Sequence, residues 1–184
     1  QAKLKTRVVG KEGQKLTELL RPQDVFDRWL VAPTGSGKTY FVAHSPGRKV
    51  IVCPTLSLVD NVCKEYGAEP FTGQHKDPEQ VKTAQFIATT YASFRKLSAY
   101  LWEHKNDIRV FIDEAHNLTA ATSPGYQLKQ LREVLELAGE FKSVTLLTGT
   151  YIYNHCPTLR SLERVTVEIP RPAKQLRYID ATDT

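Results

Sequence analysis

The order of apolar runs along the chain constrains its fold most. "RWLVAP" (28–33), "VIVCP" (50–54), "QFIATT" (85–90), "RVFID" (109–113), "SVTLLTG" (143–149) and "RVTVEI" (164–169) are short, apolar and rich in β-branched residues. Each reads as a strand. Longer amphipathic segments lie between most of them. One helix follows the glycine-rich turn and runs through about His44. Ser57 can cap another, which extends to about Tyr66. A third carries Phe94, Leu97 and Leu101 on one face, and a fourth places Leu128, Leu131, Leu135 and Ala138 at helical spacing. Near-continuously apolar strands linked by helices imply a mostly parallel sheet covered on both faces, a three-layer α/β/α arrangement.

The remaining segments read as connections. "SPGRK" is a turn, while "TGQHKDPEQVK" (72–82) and "NLTAATSPG" (117–125) read as loops. "GKEGQKLTELL" (10–20) reads as a cap and helix ahead of the first strand. The sequence shows no internal repeat, coiled coil or low-complexity tract.

With 184 residues the chain suits one domain with a sizeable core. Its 41% hydrophobic and 24% charged residues place it among ordinary globular proteins. No apolar run approaches the ~20 residues needed to cross a bilayer. "QAKLKTRVVG" lacks the apolar centre of a secretory signal. Cys53, Cys63 and Cys156 are odd in number and lack metal-ligand spacing, which fits a reducing, cytoplasmic location better than a disulfide framework. Cys53 ends an apolar run and reads as a small core residue. The net charge of +5 permits a polyanionic partner without requiring one. The chain begins at Gln1 and contains no Met, which reads as an excised piece of a longer one.

Two stretches carry chemistry. In "APTGSGKT" (32–39), Gly35 and Gly37 let the backbone turn and approach phosphates closely. Pro33, Thr34, Gly35, Ser36 and Gly37 form the expected cradle, whose N–H groups face an anion at a helix start. Lys38 can reach the β- and γ-phosphates of ATP, and the Thr39 hydroxyl can bind Mg²⁺. In "VFIDEAH" (110–116), an apolar strand ends in Asp113, at the edge of the sheet where ligands sit in open α/β folds. Asp113 would hold Mg²⁺ through a water. Glu114 could orient and deprotonate an attacking water.

Ala32 stands where the general phosphate loop has glycine, and the stretch resembles the AxxGxGKT form of superfamily 1 and 2 helicases. Asp113-Glu114-Ala115-His116 spells the DEAH box. The chain is similar to the first, ATP-binding RecA-like domain of a superfamily 2 DEAD/DEAH-box helicase, over roughly residues 8 to 170. "PTLSLVDN" (54–61) resembles motif Ia, "TTYASF" (89–94) motif Ib and "LTGTY" (147–151) motif III. The resemblance implies a RecA-like P-loop NTPase domain over 1–170, with 171–184 a linker or the start of a second domain.

It also implies a division of labour. Thr55, Ser57, Thr90 and Ser93 become candidates for contact with a nucleic-acid backbone, DNA or RNA. His116, Thr148 and Thr150 would couple the ATP site to that face. Many relatives carry Arg after the Pro-Thr of motif Ia, whereas this chain has Leu56. In DEAD-box relatives an upstream glutamine reads adenine, and Gln14 and Gln23 are both candidates by distance. The family closes a second RecA-like domain over ATP to supply arginine fingers, and no such motif follows residue 151. The expectation is therefore binding of ATP and Mg²⁺, weak hydrolysis and no unwinding by this chain alone. Two other readings remain open: the motor of a viral packaging or restriction-translocase system, and a non-catalytic RecA-like interaction module.

Overall fold

The computed structural model describes residues 5–114, 125–149 and 162–170. Eight strands form a single sheet: β1 (Lys5–Val9), β2 (Arg28–Val31), β3 (Arg48–Cys53), β4 (Glu69–Phe71), β5 (Phe86–Thr90), β6 (Ile108–Ile112), β7 (Ser143–Thr148) and β8 (Glu163–Glu168). They lie in the order β1-β8-β2-β7-β6-β3-β5-β4, and every pairing is parallel. The helices are α1 (Leu16–Leu19), α2 (Lys38–Ala43), α3 (Leu56–Tyr66), α4 (Pro78–Thr83), α5 (Tyr91–Leu101) and α6 (Gly125–Ala138).

Successive strand residues point to opposite faces, and both faces are covered. Trp29, Val31, Val50, Val52, Val110 and Ile112 pack on one face with Phe94, Leu97 and Leu101 of α5 and Val134 and Ala138 of α6. Leu30, Ala32, Ile51, Cys53 and Phe111 pack on the other with Phe41 and Val42 of α2 and Val59 and Val62 of α3. Double-sided burial is why the central strands lack a polar alternation.

The structure adds to the sequence reading at both sheet edges. β4 is a three-residue edge strand containing Pro70, a residue that a central strand would not accommodate. β1 forms the opposite edge, paired with β8. Part of the segment read as a loop over 72–82 is the helix α4. Asp77 caps it by accepting from the N–H groups of Glu79 (3.1 Å) and Gln80 (3.3 Å), and Pro78 occupies its first turn. The cap of α3 is Thr55 rather than Ser57: the Thr55 hydroxyl accepts from the Leu58 N–H at 3.2 Å. Ser57 lies one residue inside the helix, where its side chain is exposed.

Candidate nucleotide and strand-binding site

The chain leaves β2 into the glycine loop at the C-terminal edge of the sheet. The Ala32 N–H donates to the Thr148 carbonyl at 3.0 Å and so continues the β2–β7 ladder by one residue. A tight turn follows, in which the Ser36 N–H donates to the Pro33 carbonyl at 3.1 Å. Gly35 has φ of 81° and Gly37 has φ of 88°, in the left-handed region that a β-carbon disfavours. Gly37 is the N-cap of α2, so Lys38 and Thr39 are its first two helical residues. The Lys38 ammonium donates to the Ala32 carbonyl (2.8 Å) and the Pro33 carbonyl (3.3 Å). It is thus held across the loop it would serve.

The Ser36 hydroxyl is buried and lacks a hydrogen-bond partner among the described residues. A buried polar atom without a partner is costly, and an anion or a hydroxyl-binding ligand in the loop would satisfy it. Glycine backbone, lysine, and an orphaned hydroxyl make a donor set that fits a polyphosphate.

Asp113 follows β6 directly. Its N–H donates to the Val52 carbonyl of β3 at 2.8 Å. One of its carboxylate oxygens accepts from the Glu114 N–H at 3.0 Å. Glu114 has φ of 55°, a rare conformation for a side chain of its kind. The turn redirects the chain immediately after Asp113. The Tyr91 hydroxyl donates to the Asp113 carbonyl and, at 3.4 Å, to that of Glu114, bracing the turn from α5. Cys53, at the end of β3, has its thiol pKa pushed up, by burial first and by the charge of Asp113 second.

β7 lies between β2 and β6, so the glycine loop, Thr148 and Asp113 emerge from three consecutive strands of the sheet. Thr148 is fully buried at the end of β7. A β-carbon on the next residue, Gly149, would lie 3.5 Å from the Thr34 hydroxyl and 3.9 Å from the Lys38 ammonium. His116 and Thr150 lie outside the described residues.

Gln14 and Gln23 are separated by the structure. Gly13, Gln14 and Lys15 line a cavity of about 140 Å³ together with Pro33, Thr34, Gly35 and Ser36. The Gln14 side-chain oxygen accepts from the Lys11 N–H at 2.6 Å. Gln23 sits exposed in the 3-10 turn Pro22–Val25 and is absent from that lining. Sequence reasoning missed Lys15, whose ammonium donates to the Gly35 carbonyl at 3.1 Å. It missed the bracing role of Tyr91 as well, although that residue lies within "TTYASF". Neither has a spacing signal, because each contact joins segments distant along the chain.

Along the sheet edge from the glycine loop, a second concavity of about 330 Å³ is lined by Pro54, Leu56, Gly73, Thr90, Tyr91, Ala92, Ser93 and Gln130. Cys53 pairs with Thr90 in the β3–β5 ladder, and this register sets the two motif-bearing turns side by side. Of the four expected strand contacts, Thr90 and Ser93 line this groove. Thr55 and Ser57 flank Leu56 in the chain and are exposed, but neither lines the groove. The Thr55 hydroxyl accepts the capping bond already described, and Thr90 occupies the N-cap of α5 without a side-chain cap bond.

A parallel sheet, a glycine loop ending in Lys-Thr, and a strand-terminal Asp-Glu two strands away define a RecA-like P-loop NTPase domain. The DEAD/DEAH box helicase family model matches residues 13–156. The chain belongs to the DEAD/DEAH box helicase family. Among solved structures, the Hef helicase domain of Pyrococcus furiosus is 19% identical, with a TM-score of 0.50 over 79% of this chain and 35% of that one. The UvsW helicase of bacteriophage T4 is 15% identical, with a TM-score of 0.48 over 79% of this chain and 54% of that one. The SWI2/SNF2 ATPase core of Sulfolobus solfataricus, solved in complex with double-stranded DNA, is 22% identical, with a TM-score of 0.45 over 73% of this chain and 30% of that one. The chain therefore spans about half or less of the solved proteins it resembles. No curated protein matches it. Among the described residues, no helix is long and apolar enough to cross a membrane.

Proposed function

We propose that this chain binds ATP with Mg²⁺ in the Pro33–Thr39 loop and couples the nucleotide to a nucleic-acid strand lying along the Thr90–Ser93 groove. The observation that carries the reading is the placement of loop, Thr148 and Asp113 at the ends of three consecutive strands. The loop amides, the Ser36 hydroxyl and Lys38 would hold the phosphates. Thr39 and Asp113 would hold the metal, Asp113 through water. Among the described residues no three His, Cys, Asp or Glu side chains converge on one point. A cation here would complete its shell from phosphate oxygens and water, as Mg²⁺ commonly does.

Bound Mg²⁺ would supply charge neutralisation at the transferred phosphate. Glu114 would accept a proton from water. Asp113 would thus serve the metal and Glu114 the water. A general base contributes ~10²–10⁴ in rate, and an arginine finger ~10³–10⁵. Fingers are expected from a second RecA-like domain, so hydrolysis by this chain alone would be slow and strand separation absent.

Gln14 is the better candidate for contact with the base, because it shares a cavity with the loop and Gln23 does not. A nucleotide preference would follow from its amide. The test of the whole reading is ATP hydrolysis with and without single- and double-stranded DNA and RNA, beside Lys38→Ala and Glu114→Gln. Stimulation by nucleic acid that both variants lose supports it. Hydrolysis indifferent to every nucleic acid would remove the coupling from it.

A further inference from the structure

The groove that holds Thr90 and Ser93 has an uncharged lining, and Leu56 projects at its rim with 41% of its surface exposed. Hydroxyls and N–H groups can position a phosphate backbone. Affinity for a polyanion comes mostly from cations that displace its counterions. A cation must therefore reach this groove from outside its lining.

Two basic residues are exposed on α5, Arg95 and Lys96. Arg95 lines a different hollow, together with Trp102, with Glu133 and Glu136 of α6, and with Glu140 just beyond it. Lys96 is placed otherwise. It follows Ala92 by four residues and Ser93 by three, so it shares their helix face one turn further on. Both of those residues line the groove. Long side chains on a helix lean back toward its N-terminus and cover the preceding turn. Leaning that way, the Lys96 ammonium would reach back along the groove toward Ser93.

We propose that Lys96 is the phosphate-neutralising residue of the strand groove, contacting the nucleic-acid backbone next to the phosphate held by Ser93. The inference rests on the reading that a strand occupies this groove. It adds a cationic contact to a surface whose motif residues supply only neutral ones.

The test is fluorescence anisotropy of the 184-residue chain with short labelled oligothymidylate and oligouridylate across a salt series. Each lost single-strand phosphate contact lowers the slope of log K against log salt by ~0.7. Lys96→Ala is expected to lower the slope by that amount, and Lys96→Arg to retain it. Lys64→Ala, an exposed lysine near the far end of α3, is expected to leave the slope unchanged. Ser93→Asp is expected to weaken binding through charge repulsion. Circular dichroism melts verify that each variant is folded. If Ser93→Asp weakens binding while Lys96→Ala keeps the full slope, the Lys96 assignment is overturned and the groove stands. If neither variant matters, or no oligonucleotide binds, the groove reading falls and the Lys96 assignment falls with it.

Discussion

Replacing Gly37 with alanine would test how the loop backbone makes the site. Gly37 has φ of 88° and ψ of 36°. A β-carbon there would lie 3.7 Å from the Lys15 side chain and 3.9 Å from that of Tyr40, both ordinary contacts. The cost is thus conformational rather than a clash, roughly 1–2 kcal/mol for an L-residue in the left-handed region. For a domain of this size each kcal/mol lowers Tm by about 2–4 °C. Gly67→Ala is the matched control. Gly67 has φ of 69° and ψ of 25° at the end of α3, with nothing within 4 Å of an added β-carbon. Both variants should melt a few degrees early. They should part when Mg-ATP is added, because only the Gly37 change disturbs the amides that would face the phosphates. If the strained loop relaxes, a loss of ~1.4 kcal/mol in binding is a tenfold loss of affinity. The assay is the shift in Tm across an Mg-ATP titration. An undiminished shift in Gly37→Ala, or an equal loss in Gly67→Ala, would refute the reasoning.

Glu114→Gln is expected to bind Mg-ATP as the parent does while hydrolysis drops by ~10²–10⁴, read by single-turnover kinetics. Tyr91→Phe removes the donor to the Asp113 carbonyl. It should cost about 1 kcal/mol, visible in chemical denaturation, and reduce turnover more than nucleotide affinity. Burial raises both described thiols, with Cys63 pushed up to about 11, helped by Asp60 and Glu69. A raised thiol pKa favours the folded state below the ordinary thiol value, and that contribution is lost as pH climbs through the folded value. Cys53 and Cys63 should therefore resist iodoacetamide in the native protein at neutral pH, as peptide mass spectrometry would show, and should yield when the chain is unfolded.

The sheet was legible because six strands are apolar enough to be buried on one or both faces. What escaped was polar or short. β3 begins at Arg48 and Lys49, two residues before the apolar run, where backbone carbonyls accept from both cationic side chains. The Arg48 guanidinium donates to the Ala84, Val81 and Lys82 carbonyls near the end of α4, and the Lys49 ammonium to those of Ser45 and Gly47. α4 buries only Val81, so its periodicity is faint, although its Asp-Pro start was visible. The candidate nucleotide site was legible through spacing, since its residues lie in two local motifs. The groove was legible only as separate motifs. Their adjacency depends on the β3–β5 register, and Gly73 and Gln130 join them from segments that carry no motif.

The central claim is that Lys38 and its loop hold the phosphates of Mg-ATP, and calorimetric titration of the chain with Mg-ATP tests it most directly. One site per chain is expected, weakened about ten- to a hundredfold in Lys38→Ala, the range for a hydrogen bond to a charged group. No binding by the parent, or equal affinity in Lys38→Ala, would contradict it.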